Sequence, residues 1–172
     1  MDFALAYPER VSALALVAPS VSGSQPSQRI RDYWEAEEEA FEDGDLERMT
    51  ELNLRFWVDG PQREVGQVDA EVRALVGRMQ REIFEIEIPD DIEERELHPS
   101  AVGRLAEVNV PTMLIVGSLD LEEKVQQARD IAEQVADGRC VVIDESAHMV
   151  NMEKPAEFNE VVMNFLREAN NV

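Results

Sequence analysis

Two stretches decide the fold, residues 110–120 and residues 139–155. They read V-P-T-M-L-I-V-G-S-L-D and R-C-V-V-I-D-E-S-A-H-M-V-N-M-E-K-P. Each holds a short apolar run, which is typical of a strand covered on both faces of a parallel sheet. Residues 122–136 between them, and the residues after Pro155, have the apolar spacing of amphipathic helices. Strands that alternate with helices in this way predict an α/β fold with a parallel sheet.

An acid and a histidine follow the two predicted strands at the same edge of the sheet. Asp120 follows the run that ends at Gly117, and His148 lies beyond the run that ends at Ile143. Active sites of open α/β sheets lie beyond the carboxyl ends of the strands, so the two side chains are expected to meet. A carboxylate beside an imidazole fixes its tautomer and stabilises the imidazolium, which a general base requires. Asp120 and His148 are therefore either an acid–base pair or a structural hydrogen bond.

The chain before residue 110 adds one strand and a block of helices. Residues 11–17, from Val11 to Val17, read V-S-A-L-A-L-V and predict another buried strand. Helical patterns follow at residues 28–42, 46–58 and 70–86, with Asp45 and Asp69 as candidate N-caps. This block is too long for a simple crossover and is interpreted as a cap over one end of the sheet. The prediction is a core of residues 1–22 and 99–172, and a cap of residues 23–98 with an acidic linker at 85–96.

The composition of the chain excludes several classes of function. With 172 residues, 37 acids and 16 basic residues, the chain carries a formal net charge of −21. Such a charge argues against binding to nucleic acids and to anionic membranes, both of which need a basic surface. No apolar segment approaches the length of a membrane span, and the N-terminus does not resemble a signal peptide, so a cytoplasmic location is the default prediction. The single cysteine, Cys140, is predicted to be a buried, unreactive thiol.

Four stretches of the sequence resemble the α/β-hydrolase family. Residues 2–19 (D-F-A-L-A-Y-P-E-R-V-S-A-L-A-L-V-A-P) resemble the segment directly after that family's nucleophile elbow. Residues 110–120 resemble its seventh strand, whose catalytic acid falls on Asp120. The stretch S-A-H-M-V-N-M-E-K-P-A-E-F resembles its histidine loop, with the catalytic histidine at His148. The stretch E-L-N-L-R-F-W-V-D-G-P is similar to the caps of enol-lactonase-like and C–C-bond-hydrolase-like members.

The sequence departs from the family at the nucleophile. The family's chain order is serine, acid, histidine, with the serine inside G-x-S-x-G, and no pair of glycines here brackets a serine at that spacing. The resemblance therefore implies the C-terminal part of a hydrolase of ester, lactone or C–C bonds. Its sheet corresponds to strands 6, 7 and 8, and the chain is expected to be inactive alone. The alternatives are a non-catalytic binding or self-association module, and an expressed truncation without a selected function.

The remaining candidate residues have competing interpretations. The serines near the strand ends, Ser20, Ser22, Ser118 and Ser146, are predicted to be structural loop residues, and His98 a surface residue. The aromatic side chains of Trp34, Phe56 and Trp57 either line a substrate pocket or pack the cap helices, and Met149 is a further pocket candidate. Glu153 and His148 are two potential metal ligands, which is too few for a site, so neither a metal nor a cofactor is predicted.

The first predicted strand lacks the neighbour that strand 5 supplies in the family. Residues 11–17 would then present unpaired backbone groups, and such an edge must be covered or paired. The expected partner is a second copy of the chain, in a two-fold dimer with the two first strands antiparallel. A separate N-terminal hydrolase half is the other partner that the resemblance allows.

Overall fold

The computed structural model describes residues 1–86, 89 and 97–169. It divides the chain into a core unit, Met1–Ser24 with Arg95–Val172, and a cap unit, Gln25–Glu94. The helices are α1 (Asp2–Ala6), α2 (Gln28–Glu42), α3 (Leu46–Asn53), α4 (Ala70–Phe84), α5 (Glu122–Gln134), α6 (Val150–Glu153) and α7 (Pro155–Ala169). Most of the predicted acidic linker, residues 85–96, lies outside the described residues.

The core unit is built on a parallel sheet of three strands. The strands are β1 (Leu14–Val17), β2 (Thr112–Gly117) and β3 (Gly138–Ile143), in the order β1-β2-β3. Short 3-10 turns lie at Pro8–Arg10, Ala101–Gly103 and Leu105–Glu107. The order, the parallel direction and the flanking helices confirm the predicted partial α/β fold, with an open sheet of three parallel strands.

The central strand β2 is buried along its whole length because helices cover both faces of the sheet. Successive side chains of a strand point to opposite faces. Leu114 and Val116 accordingly join the cluster that contains Ile131 of α5, whereas Met113 joins the cluster that contains Phe165 of α7. This two-sided burial explains why the strand reads as a continuous apolar run rather than an alternating one.

The first strand is shorter than the predicted strand at residues 11–17. Pairing begins where the N–H of Leu14 donates to the carbonyl of Pro111 over 2.9 Å. Continuing the ladder upstream would require an N–H donor at Pro111, and proline has none. The proline that introduces β2 therefore limits β1 to four residues.

The cap unit is helical, and both of its predicted N-caps are confirmed. The Asp45 carboxylate accepts from the N–H of Arg48 over 2.9 Å, and the Asp69 carboxylate accepts from the N–H of Glu71 over 2.8 Å. The pattern predicted as one helix at residues 46–58 is divided in the structure, because α3 is followed by a π-helical segment, Leu54–Asp59. Among the residues that the structure describes, no helix combines the length and the apolar character needed to cross a bilayer.

Candidate functional site

The structure brings Asp120 and His148 into direct contact at the carboxyl edge of the sheet. Asp120 lies in the acid loop, residues 118–121, and His148 lies in the histidine loop, residues 144–149. The Nδ1 atom of His148 is 2.8 Å from Oδ2 of Asp120, whose side chain is only 2% exposed. The other carboxylate oxygen accepts from the N–H of Leu121 over 2.7 Å, which fixes the carboxylate plane.

This geometry assigns different roles to the two ring nitrogens of His148. An ionised carboxylate can only accept hydrogen bonds, so the proton of the neutral ring belongs on Nδ1, facing Asp120. The Nε2 atom is then the ring nitrogen that can take up a proton from another group. The side chain of His148 is 22% exposed, so the pair combines a buried acid with a partly accessible base.

Backbone hydrogen bonds tie the acid loop to the histidine loop. The N–H of Ser118 donates to the carbonyl of Ile143 over 2.9 Å, and the N–H of Leu119 donates to the carbonyl of Ser146 over 2.9 Å. The hydroxyl oxygen of Ser118 accepts from the N–H of Glu145 over 3.0 Å. Because these bonds connect the two residues just before the acid to the end of β3 and the histidine loop, they hold the carboxylate close to the imidazole.

Gly117 allows the histidine loop to approach the end of β2. A Cβ atom at this position would lie 2.2 Å from the carbonyl oxygen of Ser146 and 2.3 Å from that of Ala147. Real Cβ atoms do not approach backbone oxygens so closely, so only glycine fits without a shift of the loop. The glycine that follows the apolar run in the sequence thus helps to place His148.

The loop residues that the sequence analysis considered for chemistry are engaged in structural contacts. The hydroxyl of Ser146 donates to the carbonyl of Ile143 over 3.0 Å, and that of Ser22 donates to the carboxylate of Asp2 over 2.8 Å. The Glu153 carboxylate accepts from the N–H of Ala147 over 2.8 Å, inside the histidine loop. These contacts are consistent with the structural interpretation of the two serines.

His98 was predicted to lie at the surface, and Cys140 was predicted to be a buried, unreactive thiol. His98 is exposed, as expected. Cys140 is only partly buried, since its strand β3 lies at an edge of the sheet. Burial nevertheless raises the pKa of its thiol, which keeps the sulfur protonated and poorly nucleophilic.

Sequence reasoning missed Lys124, which lies beside the acid. The residue is 5% exposed, and its Nζ atom donates to the hydroxyl of Ser20 over 2.6 Å. Burial lowers the pKa of Lys124, and the carboxylates of Asp120 and Glu123 partly oppose that shift. The helical spacing could have predicted that Lys124 is buried. It precedes the buried Ala128 by one helical turn and so lies on the apolar stripe of α5.

The aromatic candidates of the cap unit do not all come together. The rings of Tyr33 and Phe56 stack with centroids 4.3 Å apart, and Trp57 meets Phe56 edge-on at 4.7 Å. Trp34 lies on the same helix as Tyr33 but is 50% exposed. Phe56 and Trp57 therefore both contact Tyr33 and pack within the cap unit. Met149 belongs to the core unit, where it is partly buried directly after His148.

No protein-family model matches the chain. A protein of Bacillus subtilis (strain 168), provisionally named a 2-succinyl-6-hydroxy-2,4-cyclohexadiene-1-carboxylate synthase, is 27% identical over 96% of this chain and 60% of its own length. Human monoacylglycerol lipase ABHD6 is 28% identical over 98% of this chain and 51% of its own length. The chain thus spans between half and three fifths of the length of these relatives.

A solved structure extends the similarity to the fold. The structure of MenH from S. aureus superposes on 93% of this chain with a TM-score of 0.63 and 17% sequence identity. The match covers 60% of the MenH chain. The similarity therefore concerns part of a larger fold, in agreement with the open sheet of the core unit.

Proposed function

Because this chain is a member of the α/β-hydrolase fold family and spans only part of that fold, we propose that it is the C-terminal portion with the cap and carries the acid–base half of a hydrolytic site. The reaction class is hydrolysis of an ester, a lactone or a C–C bond by the complete fold. The contact between Asp120 and His148 carries the proposal, since the two residues that match the family's acid and histidine lie 2.8 Å apart.

In the complete site, His148 would act as the general base and then as the general acid. Its Nε2 atom takes the proton of a serine nucleophile, and Asp120 stabilises the resulting imidazolium across the Nδ1 hydrogen bond. The same proton is later given to the leaving group. The nucleophile and the oxyanion-hole amides are supplied by a segment outside this sequence, so the chain alone is not a competent hydrolase.

The proposal is tested by extending the chain upstream in its own reading frame. We expect an in-frame G-x-S-x-G shortly before Met1, and we expect the longer protein to hydrolyse a p-nitrophenyl ester. Asp120→Asn should lower kcat by about 10⁴-fold, because the amide imposes the wrong histidine tautomer. A reading frame without such a serine, or a longer protein whose activity survives His148→Ala, would contradict the proposal.

A second candidate function, self-association, is favoured by the open edge of β1. In the described ranges, no strand pairs with the side of β1 that faces away from β2. Leu14 and Ala18 direct their N–H groups toward β2, so alternation directs those of Ala15 and Val17 toward the open edge. Val17 also exposes 37% of its surface. We therefore propose a two-fold dimer in which two copies of β1 pair antiparallel.

Light scattering after size exclusion tests the dimer. Ala15→Pro should shift the protein from dimer to monomer, because it removes an edge donor and leaves the β2 ladder intact. Ala13→Pro serves as a control, since residue 13 lies before the first strand. A wild-type protein that stays monomeric at micromolar concentration would refute the dimer.

A further inference from the structure

Ser20 and Lys124 form a polar pair at the same sheet edge as the acid–histidine site. Ser20 follows the end of β1, and Lys124 lies in the first turn of α5, beyond the end of β2. The two side chains are joined by a hydrogen bond of 2.6 Å between Nζ and Oγ. The role proposed above for Asp120 and His148 uses neither residue.

We propose that Ser20 and Lys124 form a second reactive centre, in which Ser20 is the nucleophile and Lys124 is its general base. Its substrates are activated acyl or phosphonyl groups, meaning esters and fluorophosphonates with a good leaving group. A nucleophile within hydrogen-bond reach of a base is the diagnostic arrangement of this chemistry, and serine–lysine pairs are one of its known forms.

The surroundings of Lys124 favour the neutral amine that a general base requires. The side chain is 95% buried, and this desolvation lowers the pKa of the amine. The opposing charged groups are Asp120, from the acid loop, and Glu123, from the same helix. The position of Lys124 is fixed by helix α5, where its own N–H donates to the carbonyl of Leu121 over 2.8 Å.

The surroundings of Ser20 favour access by a reagent. Ser20 is exposed, although its partner is buried, so its hydroxyl lies between the solvent and the amine. The chain reaches this position through a turn at Ala18, whose φ of 41° lies in the left-handed region that alanine rarely adopts. Backbone strain of this kind is tolerated where the surrounding structure holds a residue in place, and Ala18 is itself buried and bonded to Ile115.

The reaction of Ser20 with an activated ester balances without any further reagent. The neutral amine of Lys124 takes the hydroxyl proton as Oγ forms a bond to the carbonyl carbon. The bond from that carbon to the leaving phenolate breaks, and the acyl group stays on Ser20 as an ester. With a fluorophosphonate, the bond forms to phosphorus and fluoride leaves.

This reactivity differs from the proposed hydrolase function in two measurable ways. It depends on Lys124 rather than on His148, and it belongs to the chain itself rather than to a longer protein. The expected product is one covalent adduct per chain. Failure of Ser20 to react would not affect the proposal for Asp120 and His148. Failure of the longer protein to hydrolyse an ester would likewise not affect the proposal for Ser20 and Lys124.

The experiment is covalent labelling of the full chain by a fluorophosphonate probe, followed by intact-mass and peptide-mass measurements. We expect one adduct per chain, located on Ser20, and no adduct on Ser20→Ala. Lys124→Met should slow labelling by about 10²-fold or more, the usual contribution of a general base. Lys124→Arg should slow it similarly, because a guanidinium keeps the charge but cannot take up a proton.

A nearby pair of side chains provides the matched control. The hydroxyl of Ser24 accepts from the amide of Gln127 over 3.2 Å, so it lies in the same loop, bonded to the same helix, without a base. Ser24→Ala and Gln127→Met should leave the labelling rate unchanged. The wild-type rate should rise with pH as Lys124 loses its proton.

Three results would overturn the proposal. They are the absence of an adduct on the wild-type chain, an adduct on a residue other than Ser20, and a Lys124→Arg rate equal to that of the wild type. Circular dichroism of each variant separates loss of reactivity from loss of the fold.

Discussion

Asp59→Ala is expected to lower the free energy of unfolding of the cap unit by about 3 kcal/mol, the lower end of the range for breaking a buried ion pair. The Asp59 side chain is fully buried. Its Oδ1 accepts from Nε of Arg73 over 3.0 Å, and its Oδ2 accepts from Arg55 over 3.0 Å. Removing the carboxylate leaves two guanidinium groups without their shared acceptor. Both arginines retain some exposure and can partly rehydrate, which keeps the loss near the lower end.

The measurement is urea unfolding followed by tryptophan fluorescence. Both tryptophans of the sequence, Trp34 and Trp57, lie in the cap unit, so their emission reports on this unit. Asp43→Ala is the matched control, because Asp43 is mostly exposed and lies 3.7 Å from Arg48. Its loss should cost less than about 0.5 kcal/mol. An Asp59→Ala cap as stable as the Asp43→Ala cap would contradict the structural role of Asp59.

Gly117→Ala should destabilise the core unit by about 3 kcal/mol, the upper end for overpacked sites. The added methyl group would collide with backbone oxygens of the histidine loop rather than with a side chain that can rotate. Relief requires moving the loop that carries His148. We therefore expect the low-field NMR resonance of the Nδ1 proton, shared with Asp120, to weaken or shift in this variant.

Thermal unfolding followed by far-ultraviolet circular dichroism measures the stability change. Gly103→Ala is the control, because a Cβ at Gly103 meets no atom within 4 Å. The melting temperature of Gly103→Ala should be close to that of the wild-type protein. Equal melting temperatures for Gly117→Ala and Gly103→Ala would mean that the close approach at β2 does not constrain the loop.

The parallel sheet and the meeting of Asp120 with His148 could be predicted because they follow from local patterns. Continuous apolar runs mark buried strands, and the carboxyl ends of parallel strands share one edge. Their positions along the chain therefore determined which side chains would meet. The helix caps at Asp45 and Asp69 were equally local, since each depends on an acid just before an apolar periodic segment.

Features that depend on distant partners could not be predicted in the same way. The length of β1 is set by Pro111, which lies far along the chain and removes a ladder donor. The hydrogen bond between Lys124 and Ser20 joins residues 104 positions apart. From the sequence alone, a lysine near the start of a helix is expected to be a solvated side chain. The burial of Asp59 similarly depends on Arg73 from another helix.

The central claim is that Asp120 and His148 form an acid–base pair whose nucleophile lies outside this sequence. Turnover of a p-nitrophenyl ester by the chain alone, compared with its His148→Ala variant, tests this claim most directly. We expect the two proteins to show the same steady-state rate, with no more than one equivalent of p-nitrophenol released rapidly as the ester acylates Ser20. Multiple turnovers by the wild-type chain that disappear in His148→Ala would contradict the claim.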